Sequence, residues 1–97
     1  MVQHLLDQVF HALADPSRRQ MLERLTRGPA STSQLAEPLQ MSLSAVAQHL
    51  KVLEASGLVR SEKRGRERLC HVERGALDAA ETWIARRRER IAKSAKP

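Results

Sequence analysis

A mainly α-helical domain carrying one small antiparallel β-hairpin is the fold class this sequence predicts, and three observations predict it. Apolar residues recur at three- and four-residue spacings along most of the chain, the period of an amphipathic helix. Only two runs, 58–62 (LVRSE) and 68–72 (RLCHV), read as strands, and the segment 63–67 between them holds Gly65 as its turn residue. The 97 residues suffice for one modest core and little more, so residues 1–97 form a single domain.

The elements follow in order. Leu5, Leu6, Val9, Phe10 and Leu13 have helical spacing and make a first helix. Asp15-Pro16-Ser17 starts a second, with Asp15 as cap and Pro16 at the first helical position. Met21, Leu22 and Leu25 carry it inward, and Gly28-Pro29 ends it. Arg18, Arg19, Arg24 and Arg27 line its polar side and read as mostly solvated, with one near the helix start in reach of a phosphate. Ser31-Thr32-Ser33-Gln34 is a capping box that opens a short third helix through Leu35, Ala36 and Leu39. Pro38, late in that helix, is expected to bend its last turn. After the link Gln40-Met41, Ser42 caps a fourth helix, 42–56, which Gly57 ends with a positive φ. Leu43, Val46, Leu50 and Leu53 form its core-facing stripe; Ser44, Ala45, Gln48, Val52 and Ala55 lie opposite, with His49 and Lys51 at the edges. The last helix begins near Gly75 and runs through Leu77, Ala80, Ile84, Arg87 and Ile91.

Two helices joined by a brief polar link and followed by a basic hairpin make a winged helix-turn-helix, with about five helices and a two- or three-stranded antiparallel wing. Residues 31–39 then support, and 42–56 enter a DNA major groove. The outer face of that helix begins small and hydrogen-bonding, so it can approach base edges closely. Ser44, Gln48 and His49 are the expected base readers, with Gln48 able to pair bidentately with adenine. Lys51, Arg60, Arg64 and Arg66 are the expected phosphate contacts. Charge supports a polyanion partner: residues 60–68 hold five basic and two acidic groups, 86–97 six and one, and the rest six and eight. The basic excess is local. An ordinary solvated helix surface and a charged edge hairpin are the competing readings of the same two segments.

Leu77, Ile84 and Ile91 are seven residues apart on a helix that also carries Trp83 and the run Arg86-Arg87-Arg88-Glu89-Arg90. So narrow an apolar strip suits a helix-to-helix dimer seam, against the alternative of a helix laid on its own domain. A dimer would meet a roughly palindromic operator with half-sites about one helical turn apart, or a multiple of it.

Several classes are disfavoured. No Ser-His-Asp arrangement, metal cluster or glycine-rich phosphate loop can be assembled, so no enzyme and no cofactor is expected. One Phe, one Trp and no Tyr supply no stacking platform for single-stranded RNA. A winged helix used as a protein- or RNA-interaction module remains the alternative to a DNA binder. Cys70 is the single cysteine, which rules out an intrachain disulfide; it reads as a small strand residue or, alternatively, as a redox-sensitive thiol. With no apolar run near the roughly 20 residues of a bilayer span and no signal-peptide pattern, a cytoplasmic protein without a membrane partner is expected.

The runs HALADPSRRQMLERL, SQLAEPLQMSLSAVAQHLKVLEASGLV, KRGRERL and GALDAAETWI together resemble a bacterial ArsR-type transcriptional regulator over roughly residues 8–85, most specifically in SAVAQHLKVLEASGLV. The resemblance implies a homodimer whose first and last helices make the contact, which assigns Leu6 and Phe10 to the interface with Leu77, Trp83, Ile84 and Ile91. It implies an operator bound to repress, less often to activate, transcription. Ser42, Ser44, Ala45, Gln48 and His49 match the base-reading positions, and Arg64 and Arg66 the wing tip. Metal-sensing members place a cysteine pair before the turn, or Asp and His ligands on the last helix. Here the corresponding stretch, STSQLAEPLQ, has neither cysteine nor histidine, and the last helix has Asp78, Glu81 and Glu89 but no histidine. His4, His11, His49 and His71 are scattered, so the sequence resembles the branch that does not sense metals, with its effector unspecified.

Overall fold

The structure, a computed structural model, describes residues 2–94. The element order is α1 (Val2–Leu13), α2 (Pro16–Leu25), β1 (Ala30–Ser31), α3 (Thr32–Leu39), α4 (Leu43–Ala55), β2 (Val59–Arg64), β3 (Glu67–Val72) and α5 (Arg74–Ser94). Five helices and a three-stranded antiparallel sheet thus give the winged helix-turn-helix that the periodicity predicts.

Local chemistry fixes the helix starts. Pro16 occupies the first turn of α2 while the Asp15 carboxylate accepts from the Arg18 N–H at 3.0 Å. At α3 the capping box closes in both directions: Ser31 Oγ accepts from the Gln34 N–H (3.2 Å), and Gln34 Oε1 accepts from the Ser31 N–H (2.9 Å). Gln40 then adopts a left-handed conformation (φ 54°), letting its own N–H return to Glu37 O and that of Met41 to Ala36 O. This sharp reversal swings the chain into α4, whose cap is Ser42 accepting from the Ala45 N–H at 3.1 Å.

The core is built from one face of each helix and the inner face of the sheet. Met21, Leu35, Val46, Leu53 and Leu58 are buried in it, joined by Val59, Ala30 and Cys70. The sheet order is β1-β3-β2, with Ala30 opposite Cys70 and Val59 opposite Val72. Ser31 serves twice, as a strand residue and as the cap of α3.

Four expectations need correction. Leu43 is 56% exposed and not in the core: side chains tilt toward a helix N-terminus, and at the first residue of α4 that direction leads past the packed surface. Val52, expected on the outer face, is half-buried and packs on the core, because the stripe is wider than four leucine and valine positions. The strands extend inward to Arg64 and from Glu67, leaving a two-residue turn, Gly65-Arg66, instead of a five-residue loop. Gly65 has φ +61° and Arg66 no positive φ, the pattern of the II′ turn that suits twisted hairpins. Arg18, Arg19 and Arg24 are engaged, donating to the carbonyls of Ala12 and His11, of Leu13, and of Gly28 respectively.

At 21 residues, α5 spans about 31 Å at 1.5 Å per residue. Among the described residues of α5 only Ala80 is buried, and the domain measures 60 × 26 × 21 Å. No helix among the described residues is long and apolar enough to cross a membrane.

Candidate nucleic-acid interface

The outer face of α4 carries the polar residues as the helical period requires. Ser44, Gln48 and Lys51 are exposed, and they follow one another at four- and three-residue spacing along a single strip about 10 Å long. Ala45 is half-buried beside them. Ser42 sits at the N-terminal end, its Oγ spent on the Ala45 N–H and 3.5 Å from Ser44 Oγ. Its role is therefore first to cap the helix, whose N-terminal dipole favours an anion. His49 is half-buried at the flank, with Nδ1 3.3 Å from Nη1 of Arg18.

The wing divides its charges between two faces. Directly paired residues share a face, so Arg60, Glu62 and Arg64 lie with His71, Leu69 and Glu67 on the side away from the core. These cations have partners: Arg60 Nε donates to Glu73 at 2.6 Å, and Arg64 lies 3.6 Å from Glu62, which also meets His71 Nε2 at 3.0 Å. The His71 hydrogen bond, with the Arg64 charge behind it, holds the Glu62 carboxyl below its ordinary pKa. All of these groups are near water, so the pairs are weak. Arg66 stands at the turn itself.

Lys63 and Arg68 fall on the other face, with Val59, Ser61 and Cys70, and this is the side on which α4 packs. Arg68 donates to Ser61 Oγ at 3.2 Å, and Ser61 donates to the Glu54 carboxylate of α4. Both cations belong to the hairpin's basic excess, but neither is among the contacts expected from the sequence. Strand parity finds them, since Arg68 is two residues from the buried Cys70 and Lys63 four from the buried Val59.

Of the residues assigned to a dimer seam, Phe10, Leu77, Ile84 and Ile91 expose large apolar surface. Phe10, Leu13, Leu77, Ala80 and Ile84 line a groove between α1 and α5. Leu6 is half-buried beside a second apolar hollow formed with Val9, Gly57, Ala76 and Ala79. Trp83 differs from the rest: its ring meets Phe10 edge-on at 5.8 Å, and the Arg87 guanidinium covers it at 4.3 Å. It fastens α5 to α1 within one chain. Among the described residues no group of three or more His, Cys, Asp and Glu could hold a metal ion.

A helix-turn-helix domain family model matches residues 13–62. An HTH-type transcriptional regulator of Mycobacterium tuberculosis, Rv2034, is 40% identical over 80 residues, covering 82% of this chain and 75% of that one. The transcriptional repressor SdpR of Bacillus subtilis is 28% identical over 60 residues, 62% of this chain and 67% of its own. Among solved structures, an ArsR family transcriptional regulator, RHA00566, superposes with a TM-score of 0.88 at 41% identity, over 98% of this chain and 96% of that one.

Proposed function

The chain belongs to the ArsR family of helix-turn-helix transcriptional regulators, and from that premise we propose that it binds a roughly palindromic duplex operator as a homodimer and represses transcription. Its work is binding DNA, not catalysis. Helix α4 enters the major groove, where Ser44, Gln48 and His49 read bases beside Ala45, while Ser42 and Lys51 face the flanking phosphates. Arg64 and Arg66, with Arg60 once released from Glu73, grip the backbone through the wing; Lys63 and Arg68 join them from the face nearer α4. The observation that carries this reading is the exposed strip Ser44, Gln48 and Lys51 on a capped helix, tied through Glu54 and Ser61 to a hairpin tipped with arginine. The α1 and α5 faces around Phe10, Leu77, Ile84 and Ile91 supply the dimer contact. The protein acts in the cytoplasm, needs no cofactor, and belongs with the members that do not sense metals, for which its scattered histidines and buried single cysteine speak.

Selection of DNA from a random duplex library tests the reading. It should return two inverted half-sites about one helical turn apart, or a multiple. Gln48→Ala should then lose about 1 to 3 kcal/mol at one base pair per half-site and relax the preference there. Arg64→Ala with Arg66→Ala should weaken binding to all sequences and flatten its salt dependence. Equal affinity for selected and random duplexes would refute the proposal.

A further inference from the structure

Arg18 joins three elements. Its backbone N–H donates to Asp15 at the start of α2. Its guanidinium donates from Nε to Ala12 O (2.8 Å) and from Nη2 to His11 O (3.0 Å), two carbonyls at the C-terminal end of α1. The remaining arm, Nη1, reaches His49 Nδ1 on α4 at 3.3 Å. Helix C-terminal carbonyls lack partners within their own helix and carry the negative end of its dipole, so they fix a guanidinium in place. Arg18 is therefore a braced group, not a swinging surface side chain.

The bracing decides a proton. A guanidinium has five donors and no acceptor. At its contact with Arg18, His49 Nδ1 must accept, and the ring then carries its hydrogen on Nε2. No buried side-chain nitrogen or oxygen among the described residues lacks a partner, and no hydrogen bond among those residues engages Nε2 of the half-buried His49, so Nε2 keeps contact with solvent on the flank of α4. Resting on the reading that α4 enters the major groove, we propose that Arg18 is a positioning residue for base recognition. It holds His49 as an Nε2–H donor, selecting a base-edge acceptor: purine N7, guanine O6 or thymine O4, and rejecting the cytosine N4 amino group. Arg18 need touch no DNA to do this. In an α4 helix whose other readers, Ser44 and Gln48, can donate or accept, His49 becomes the reader with a fixed sign.

Two measurements test the proposal. Long-range proton–nitrogen NMR of the free protein at alkaline pH, with His49→Gln to assign the signal, should show only the Nε2–H form of His49. In Arg18→Met the Nδ1–H form should become populated, drawing the two ring nitrogen shifts together. In parallel, DNA selection should show a preference of about tenfold or more for an acceptor-bearing base at one position per half-site. It should fall toward parity in His49→Ala and in Arg18→Met, with the double variant no worse than His49→Ala alone. If Arg18→Met does not fold, Arg18→Lys replaces it, because an ammonium cannot span the same three acceptors. An Nδ1–H ring in the unaltered protein, or a ring spectrum unmoved by loss of the guanidinium, overturns the proposal. So does a base preference that survives either substitution. Affinity for selected over random duplexes is scored separately, so loss of the Arg18 proposal leaves the DNA-binding reading standing, and equal affinity for both brings down that reading itself.

Discussion

Replacing Ile84 with alanine separates a dimer seam from a helix that merely overhangs. Ile84 is 44% exposed in the single chain, so about half of the ~1.5 to 3 kcal/mol carried by full burial of an isoleucine is still to be gained. That is about 1 kcal/mol per copy; a two-fold interface uses each residue twice, which makes about 2 kcal/mol per dimer. The dimer dissociation constant should rise about 30-fold. Sedimentation equilibrium over a range of protein concentrations reads this directly. Leu43→Ala is the control, because Leu43 is as apolar and more exposed but stands on α4, not on α1 or α5, and should leave association unchanged. The thermal midpoint of Ile84→Ala should fall as well, since weaker association withdraws the stabilisation that assembly lends the folded chain. An unaltered dissociation constant, or an unmodified protein that stays monomeric at micromolar concentration, would refute the reasoning.

Other outcomes follow from the same geometry. Ser31→Ala should cost about 1 kcal/mol in urea denaturation, because it removes the hydroxyl half of a closed capping box. Cys70 is fully buried, and burial, with Glu54 nearby, pushes its thiol up; it should therefore resist a disulfide reagent until the protein unfolds, and reaction at the rate of a free thiol would contradict the packing. Asp15 and Glu62 are held below their ordinary pKa, Asp15 chiefly by the Arg18 N–H and Glu62 chiefly by His71. For both the folded value is the lower one, so their contribution is present above the unfolded value of about 4 and is lost as pH falls through the folded value. Asp15→Asn should accordingly flatten the acid limb of a denaturation series while keeping the helix cap.

Much of the fold was legible because short-range chemistry decided it. Asp15, Ser31 and Ser42 cap the helices they were expected to cap, and Gly57 and Gly65 have the positive φ that their positions suggest. What escaped was set by distance along the chain. Strand β1 has two residues, and its pairing with Cys70 and Leu69 is invisible in a segment that also reads as a helix cap. The arginines of α2 look solvated in sequence because their acceptors are backbone carbonyls, which no side-chain pattern announces. Strand parity divides the wing: Arg60 and Arg64 stand on one face, Lys63 and Arg68 on the other, a division that total charge conceals. The strip on α4 was legible because one helix carries it whole; the tie from Arg18 to His49 crosses 31 positions and was not.

The overhang of α5 also changes how the molecule moves through water. A compact chain of this length has a radius of gyration of about 12.5 Å, and this one has 15.8 Å. A rod-like extension raises friction without adding mass, so a single chain migrates in gel filtration as a heavier, rounder particle. Packing a second copy against that helix adds mass along a dimension already extended, and the two species elute closer together than their twofold ratio of masses suggests. Light scattering, which weighs particles regardless of outline, is the measure of assembly that suits this shape.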